Sequence, residues 1–164
     1  MRVLGIDPGT VVMGYGIIES SGDEVALVDC GAWKCSERSP IGERLIFLYR
    51  ELGKLLDRCR PEVVAIEQPF VAKNVKSALA IGRAQAVAIL AASAAGIPAF
   101  EYSPAQVKQR VTSYGHSSKG QVQEMVRLQL DMTEAPHPPD AADALAVAIC
   151  HCREAHVKQL LAGE

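Results

Sequence analysis

The period of apolar and polar positions changes several times along this chain. Residues 3–7 form a short apolar run that stops at Asp7-Pro8-Gly9-Thr10, where proline withdraws a ladder donor. Residues 12–18 make a second strand-like run, with Gly14 and Gly16 allowing close backbone approach. Ser20-Ser21-Gly22-Asp23 has turn chemistry, and residues 24–33 return as a third strand. Together they predict an antiparallel meander at one edge of a sheet. Ser39-Pro40 then reads as a cap followed by proline at the first helical position. Ile41, Leu45, Leu48, Leu52, Leu55 and Cys59 recur every three or four residues, an apolar stripe down one helix that Pro61 stops.

Residues 63–66 are continuously apolar and end at Glu67, as a buried parallel strand would. Residues 75–95 predict an alanine-rich helix that is apolar on nearly all sides from Ala86 onward. Residues 98–102 predict a fifth strand. Ser103-Pro104 opens a helix to about Val111, and Ser118 with Gln121 forms a capping box for another to about Leu130. Prolines 136, 138 and 139 break the chain before a last helix over residues 140–156. Three strands, then helix, strand, helix, strand and further helices predict an α/β layered domain with a five-stranded mixed sheet. No internal repeat or long linker divides it.

Composition narrows the class. A chain of 164 residues with 49% hydrophobic content buries a real core and is not disordered. The formal net charge of −2 excludes a strongly cationic surface overall. The charge is uneven, however: residues 1–72 carry −3, residues 73–127 carry +5 and residues 128–164 carry −4. The middle third, with Lys73, Lys76, Lys108, Arg110 and Lys119, is a candidate footprint for a polyanion, although an ordinary solvated surface has the same composition. Five cysteines, an odd number, and no apolar leader are expected of a reduced, cytoplasmic protein. Cys150-x-Cys152 is too tight for the usual zinc pair and lacks a second pair. Residues 84–100 are uncharged but broken by Gln85, Ser93, Gly96 and Pro98, so no membrane span is expected.

The acids carry the chemistry. Asp7 and Glu67 each end a buried strand, where a carboxylate is costly unless paired or bound to a cation. Adjacent strands lie about 4.8 Å apart, so two such ends can share one site. Asp140 and Asp143 fall on one face of the last helix, where they repel each other. Acids in a first helical turn are also ordinary capping chemistry. Convergent oxygen ligands select Mg²⁺ or Mn²⁺ rather than zinc. Two such ions about 3.5–4 Å apart can drive hydrolysis of a phosphodiester.

These motifs resemble one family, the bacterial Holliday junction resolvases of the RuvC type. The resemblance covers essentially the whole chain. It rests on Gly5-Ile6-Asp7-Pro8-Gly9, Ala65-Ile66-Glu67-Gln68 with Phe70 and Ala72-Lys73-Asn74, Gln106-Val107-Lys108-Gln109, and Asp140-Ala141-Ala142-Asp143-Ala144-Leu145-Ala146. It implies a ribonuclease H-like nuclease domain over residues 1–158 with a short tail at 159–164. It also implies that Asp7, Glu67, Asp140 and Asp143 are catalytic and metal-binding, with Mg²⁺, replaceable by Mn²⁺, as two ions per site. Some family members have histidine where this chain has Asp140. By the same resemblance Lys119 lies close to the scissile phosphate, Lys108 is a second basic group, and Phe70 engages bases at the junction centre. From the residues alone, Lys119 could equally be a surface lysine and Phe70 a loop aromatic folded onto the core. The resemblance further implies a homodimer built on the helix at 75–95, four-way junction DNA as substrate and the RuvA–RuvB branch-migration complex as partner. Without it, that helix could instead be enclosed by the sheet and the last helix. Opposed strands would be cut in pairs, leaving 5′-phosphate and 3′-hydroxyl nicks, in recombination and repair. The rivals are a related nuclease acting on RNA, a sugar-kinase-like ATP-binding protein suggested by Asp7-Pro8-Gly9-Thr10, and a non-catalytic junction-binding module.

Overall fold

In the computed structural model, which describes residues 1–69 and 74–163, the meander forms from β1 (Arg2–Asp7), β2 (Val12–Ser21) and β3 (Glu24–Lys34). Helix α1 (Ile41–Cys59) leads to β4 (Val63–Glu67), α2 (Val75–Ala94) and β5 (Ala99–Tyr102). Helices α3 (Pro104–Thr112), α4 (Lys119–Gln129) and α5 (Pro139–Ala162) follow. The sheet order is β3-β2-β1-β4-β5. The meander is antiparallel, whereas β4 runs parallel to both β1 and β5.

Each face of the sheet has its own core. Leu48, Leu52, Leu55 and Leu56 of α1 and Ala84, Val87, Ala88, Ala91 and Ala92 of α2 pack with Leu4, Ile6, Ile17, Val64 and Ile66. On the other face Leu145 to Cys150 of α5 pack with Val3, Ile18 and Ala65, and with Val107 and Val111 of α3 and Val122 and Val126 of α4. A fully buried leucine or isoleucine contributes about 1.5–3 kcal/mol, so the inward stripes hold both layers down. Two glycines let α5 lie close on the sheet. A Cβ at Gly5 would run into the carbonyl oxygen of Ala144, and one at Gly14 into that of Asp140.

The caps divide the expectations. Ser103 and Ser118 each form a full capping box, with Gln106 and Gln121. Ser39 does not cap α1: Pro40 takes that position, without a side-chain bond, and the helix begins at Ile41. Helix α5 starts at Pro139 and continues past His156 to Ala162, so most of the expected tail is helical. Val157 is its last half-buried residue and Lys158 onward is exposed, which is why apolar periodicity gave no sign of the extension.

Helix α2 is not enclosed by α5, which packs on the opposite face of the sheet. By length and composition α2 could cross a bilayer, yet its alanines and Val87 sit in the α1 core. Ala78 is buried and Ile89 packs inward, while Leu79 and Leu90 are more than half exposed. Val75 and Ala86 lie on the same outward face, and open space surrounds Gly82.

Candidate active site

Pairing of Ile6 with Ile66 in the parallel β1/β4 register brings Asp7 and Glu67 to adjacent strand ends. Their carboxyl groups are within hydrogen-bonding reach of one another. Asp7 is also opposite Gly14 of β2, and Gly14 is where the first turn of α5 touches the sheet at Asp140. The missing Cβ at Gly14 thus admits Asp140 beside Asp7. One turn on, Asp143 receives Lys119 Nζ at 2.6 Å from the first turn of α4. The capping box of Ser118 and Gln121 fixes the turn that carries Lys119.

Negative charge at this end is only partly compensated. Burial raises the pKa of Asp7 first of all, and Glu67, Asp143 and Asp140 raise it further against the pull of Lys119. Burial also raises Glu67, with Asp143 adding to it, while a hydrogen bond from Asp7 and the charges of Lys119 and Lys108 oppose the rise. Lys119 is held protonated more firmly than an ordinary lysine, chiefly through its bond to Asp143.

Among the described residues, no three His, Cys, Asp or Glu side chains close to metal-ligand spacing. Glu67, Asp143 and Asp140 nevertheless lie near enough to raise the pKa of Asp7, and the Lys119 ammonium is bonded to Asp143. An all-oxygen set of this kind, free of histidine and cysteine, suits a hard divalent cation. Glu67, Asp143, Lys108 and Lys119 line one cleft of about 240 Å³, floored by Val107, Val122 and Ala146. A larger cavity, about 1040 Å³, is at the opposite end of the sheet beside Met1, Arg2 and Arg153 and contains none of the candidate acids.

The remaining expected residues distribute differently. Lys76 is exposed in the first turn of α2. Arg110 donates from Nε to Glu154 at 2.6 Å, which ties α3 to α5 and leaves it half-buried rather than a free surface cation. Phe70 and Lys73 lie outside the described residues. Sequence reasoning noticed Gly14 as a site of close approach but not what approaches it. Helix α5 follows Gly14 by more than a hundred residues, and no local pattern links them.

The family described as "Crossover junction endodeoxyribonuclease RuvC" matches residues 3–151. A protein of that name from Dehalococcoides mccartyi is 56% identical over 151 residues, covering 92% of this chain and 90% of the relative. One from Chloroflexus aggregans is 50% identical over 159 residues, 97% of each chain. Among solved structures, T. thermophilus RuvC in complex with Holliday junction substrate superposes with a TM-score of 0.91 at 36% identity, covering 96% of both chains. The yeast mitochondrial Holliday junction resolvase Ydc2, at 18% identity and a TM-score of 0.67, shares the fold.

Proposed function

The chain belongs to the RuvC family of crossover junction endodeoxyribonucleases, and on that premise we propose how its own residues carry out the reaction. It is a metal-dependent nuclease that resolves four-way DNA junctions, in recombination and repair. The observation that carries the assignment of residues is the grouping of Asp7, Glu67, Asp140 and Asp143 at one end of the sheet, beside Lys119 and Lys108.

Asp7, Glu67, Asp140 and Asp143 would hold Mg²⁺, with Mn²⁺ able to replace it, as two ions per site. When bound, the cation supplies the charge that activates a water and stabilises the leaving oxygen of the phosphodiester. Asp7 and Glu67 give up the protons that burial and repulsion make them retain. Lys119 exchanges Asp143 for a non-bridging oxygen of the scissile phosphate, where a compact ammonium suits a point of developing charge. Lys108, across the same cleft, holds the flanking phosphate. Lys76 and Lys73 reach the DNA backbone, and Phe70 stacks on bases opened at the junction centre. Arg110 contributes chiefly by bracing α3 against α5.

Two copies assemble through the outward face of α2, where Val75, Leu79, Ala86 and Leu90 leave an apolar stripe in water. A dimer sets two sites against the two opposed strands of a symmetric junction, so cuts are paired and leave 5′-phosphate and 3′-hydroxyl ends. The enzyme works in the cytoplasm alongside the RuvA–RuvB branch-migration complex.

The test offers synthetic four-way junctions, linear duplex and RNA–DNA hybrid to the purified protein, each with Mg²⁺, Mn²⁺ or EDTA. Paired nicks in the junction, abolished by EDTA, are expected. Preferred cleavage of the hybrid would point instead to a nuclease acting on RNA, and metal-dependent binding without cutting to a silent junction binder.

A further inference from the structure

Five residues before Lys119 the chain holds an aromatic side chain out in solvent on a turn laced with side-chain hydrogen bonds. Tyr114 is 62% exposed. Ser113 before it is left-handed, at φ 62°. The turn is cross-linked from within. Thr112 Oγ1 is 2.8 Å from the carbonyl oxygens of Lys108 and Tyr114 and accepts from Tyr114 N at 3.2 Å. Ser117, itself buried, places Oγ 2.6 Å from Thr112 Oγ1 and donates to the Tyr114 carbonyl at 2.8 Å. Its backbone N–H reaches the same carbonyl at 3.2 Å. The His116 ring meets the Tyr114 ring edge-on, with centroids 5.8 Å apart. One residue past Ser117, the Ser118 capping box begins α4 and the Lys119 turn.

A lone exposed aromatic is ordinary on a protein surface. This one stands on a turn whose backbone Thr112 and Ser117 hold, meets the His116 ring edge-on, and precedes by five residues the lysine that pairs with Asp143. Its anchors also reach back into α3 at Lys108, so the turn joins the two basic groups of the cleft. A ring presented from a hydrogen-bonded turn costs less to order on binding than one on an unbraced loop. Deoxyribose and base faces are the apolar surfaces a DNA strand offers beside its phosphates, and aromatic rings stack on them with little sequence demand.

We propose that Tyr114, buttressed by His116, is a DNA-contact residue that packs on the scissile strand beside the Lys119 phosphate and fixes which phosphate enters the acid site. This rests on the resolvase reading above. Tyr114 holds the strand in register; the chemistry remains with the acids and Lys119.

The test compares the parent, Tyr114→Ala, Tyr114→Phe and, as a remote control, Leu160→Ala on a synthetic four-way junction labelled on each strand. Leu160 is 60% exposed near the far end of α5. Single-turnover cleavage, cut positions and melting temperature are read for each. Expected for Tyr114→Ala is a loss of about tenfold in kcat/KM, cuts spread to neighbouring phosphates and parent-like melting. Tyr114→Phe should keep most of the rate and the parent's cut positions, and Leu160→Ala all of both. If Tyr114→Ala cuts at the parent's rate and positions, the contact alone is overturned. A Tyr114→Ala melting temperature well below the parent would make the ring structural and overturn it too. A parent that leaves junctions intact overturns the resolvase reading, and this contact with it.

Discussion

The two ends of β1 carry charge in opposite ways. At its start, Arg2 donates from Nε and Nη2 to one carboxylate oxygen of Glu19 and from Nη1 to the Cys59 carbonyl, while the Arg2 backbone N–H is taken by Glu62. The terminal ammonium lies 3.9 Å from the same Glu62. At its finish, Asp7 faces Glu67, Asp140 and Asp143, with Lys119 as the main opposing charge. One end is neutralised by its own neighbours; the other is buried, crowded with like charge and short of cations. Exposed matched pairs at the first end contribute little even to stability. A mismatch at the second is tolerated by a fold only where something else completes it. Cavity size points the wrong way, since the roomier hollow belongs to the neutralised end.

Substitution at the two ends should separate them most. Asp7→Asn or Glu67→Gln removes a charge with little change in volume, so junction binding should persist while Mg²⁺-dependent cleavage falls at least about a hundredfold. Arg2→Ala at the other end should leave cleavage within about twofold and cost no more than about 1 kcal/mol in melting experiments. Comparable activity losses at both ends would erase the distinction.

A second large effect concerns the faces rather than the ends. Leu90→Asp places a charge in the outward stripe of α2, 61% exposed in the single chain. If that stripe is the dimer interface, sedimentation should show the species halved in mass, with opposed strands nicked independently. An unchanged sedimenting species would show that the copies meet elsewhere.

Lys119→Ala should act next most strongly, lowering the single-turnover rate by roughly tenfold or more while changing junction affinity little, as expected of a group that acts in the transition state. Equal weakening toward every DNA, with normal turnover at saturation, would reduce Lys119 to a backbone contact.

The last effect is on stability rather than on cleavage and has a definite sign. Unfolded carboxylates titrate near pH 4. In the folded chain Asp7 is raised to about 8 and Glu67 to about 7, chiefly by burial. Between these limits the native state keeps protons that the unfolded chain has released, so stability is full below about pH 4 and declines as pH rises toward 8. Metal-free protein should therefore melt lower at pH 8 than at pH 5, and Asp7→Asn should flatten the slope. A metal-free melting temperature that rises over that interval through this pair would contradict the burial account.

Much of this arrangement was legible in the residues. Val3 to Asp7 and Val63 to Glu67 declared themselves as buried strands with acidic ends because a continuous apolar run admits few other readings. The Ser118 cap was visible because a capping box is local. The start of α1 was misjudged because Ser39 precedes a proline that itself occupies the capping position. Two features depend on distant partners and could not be read locally. One is Arg110, whose cationic look in the sequence hides a bond to Glu154 in another helix. The other is the split of α2 into inward Ala78 and Ile89 and outward Leu79 and Leu90, which needs the position of α1 to decide. Composition identified that helix as over-supplied with apolar residues but not which of them remain uncovered.

Calorimetric titration of Mn²⁺ into the metal-free enzyme at pH 7, in two buffers of different ionisation enthalpy, tests the central claim most directly. Saturable binding with net proton release is predicted, because Asp7 and Glu67 surrender protons to the cation. The release should shrink in Asp7→Asn to the share that Glu67 supplies, and persist in full in Arg2→Ala. Binding without proton release, or Asp7→Asn binding as the parent does, would contradict the assignment of this acid end as the metal site.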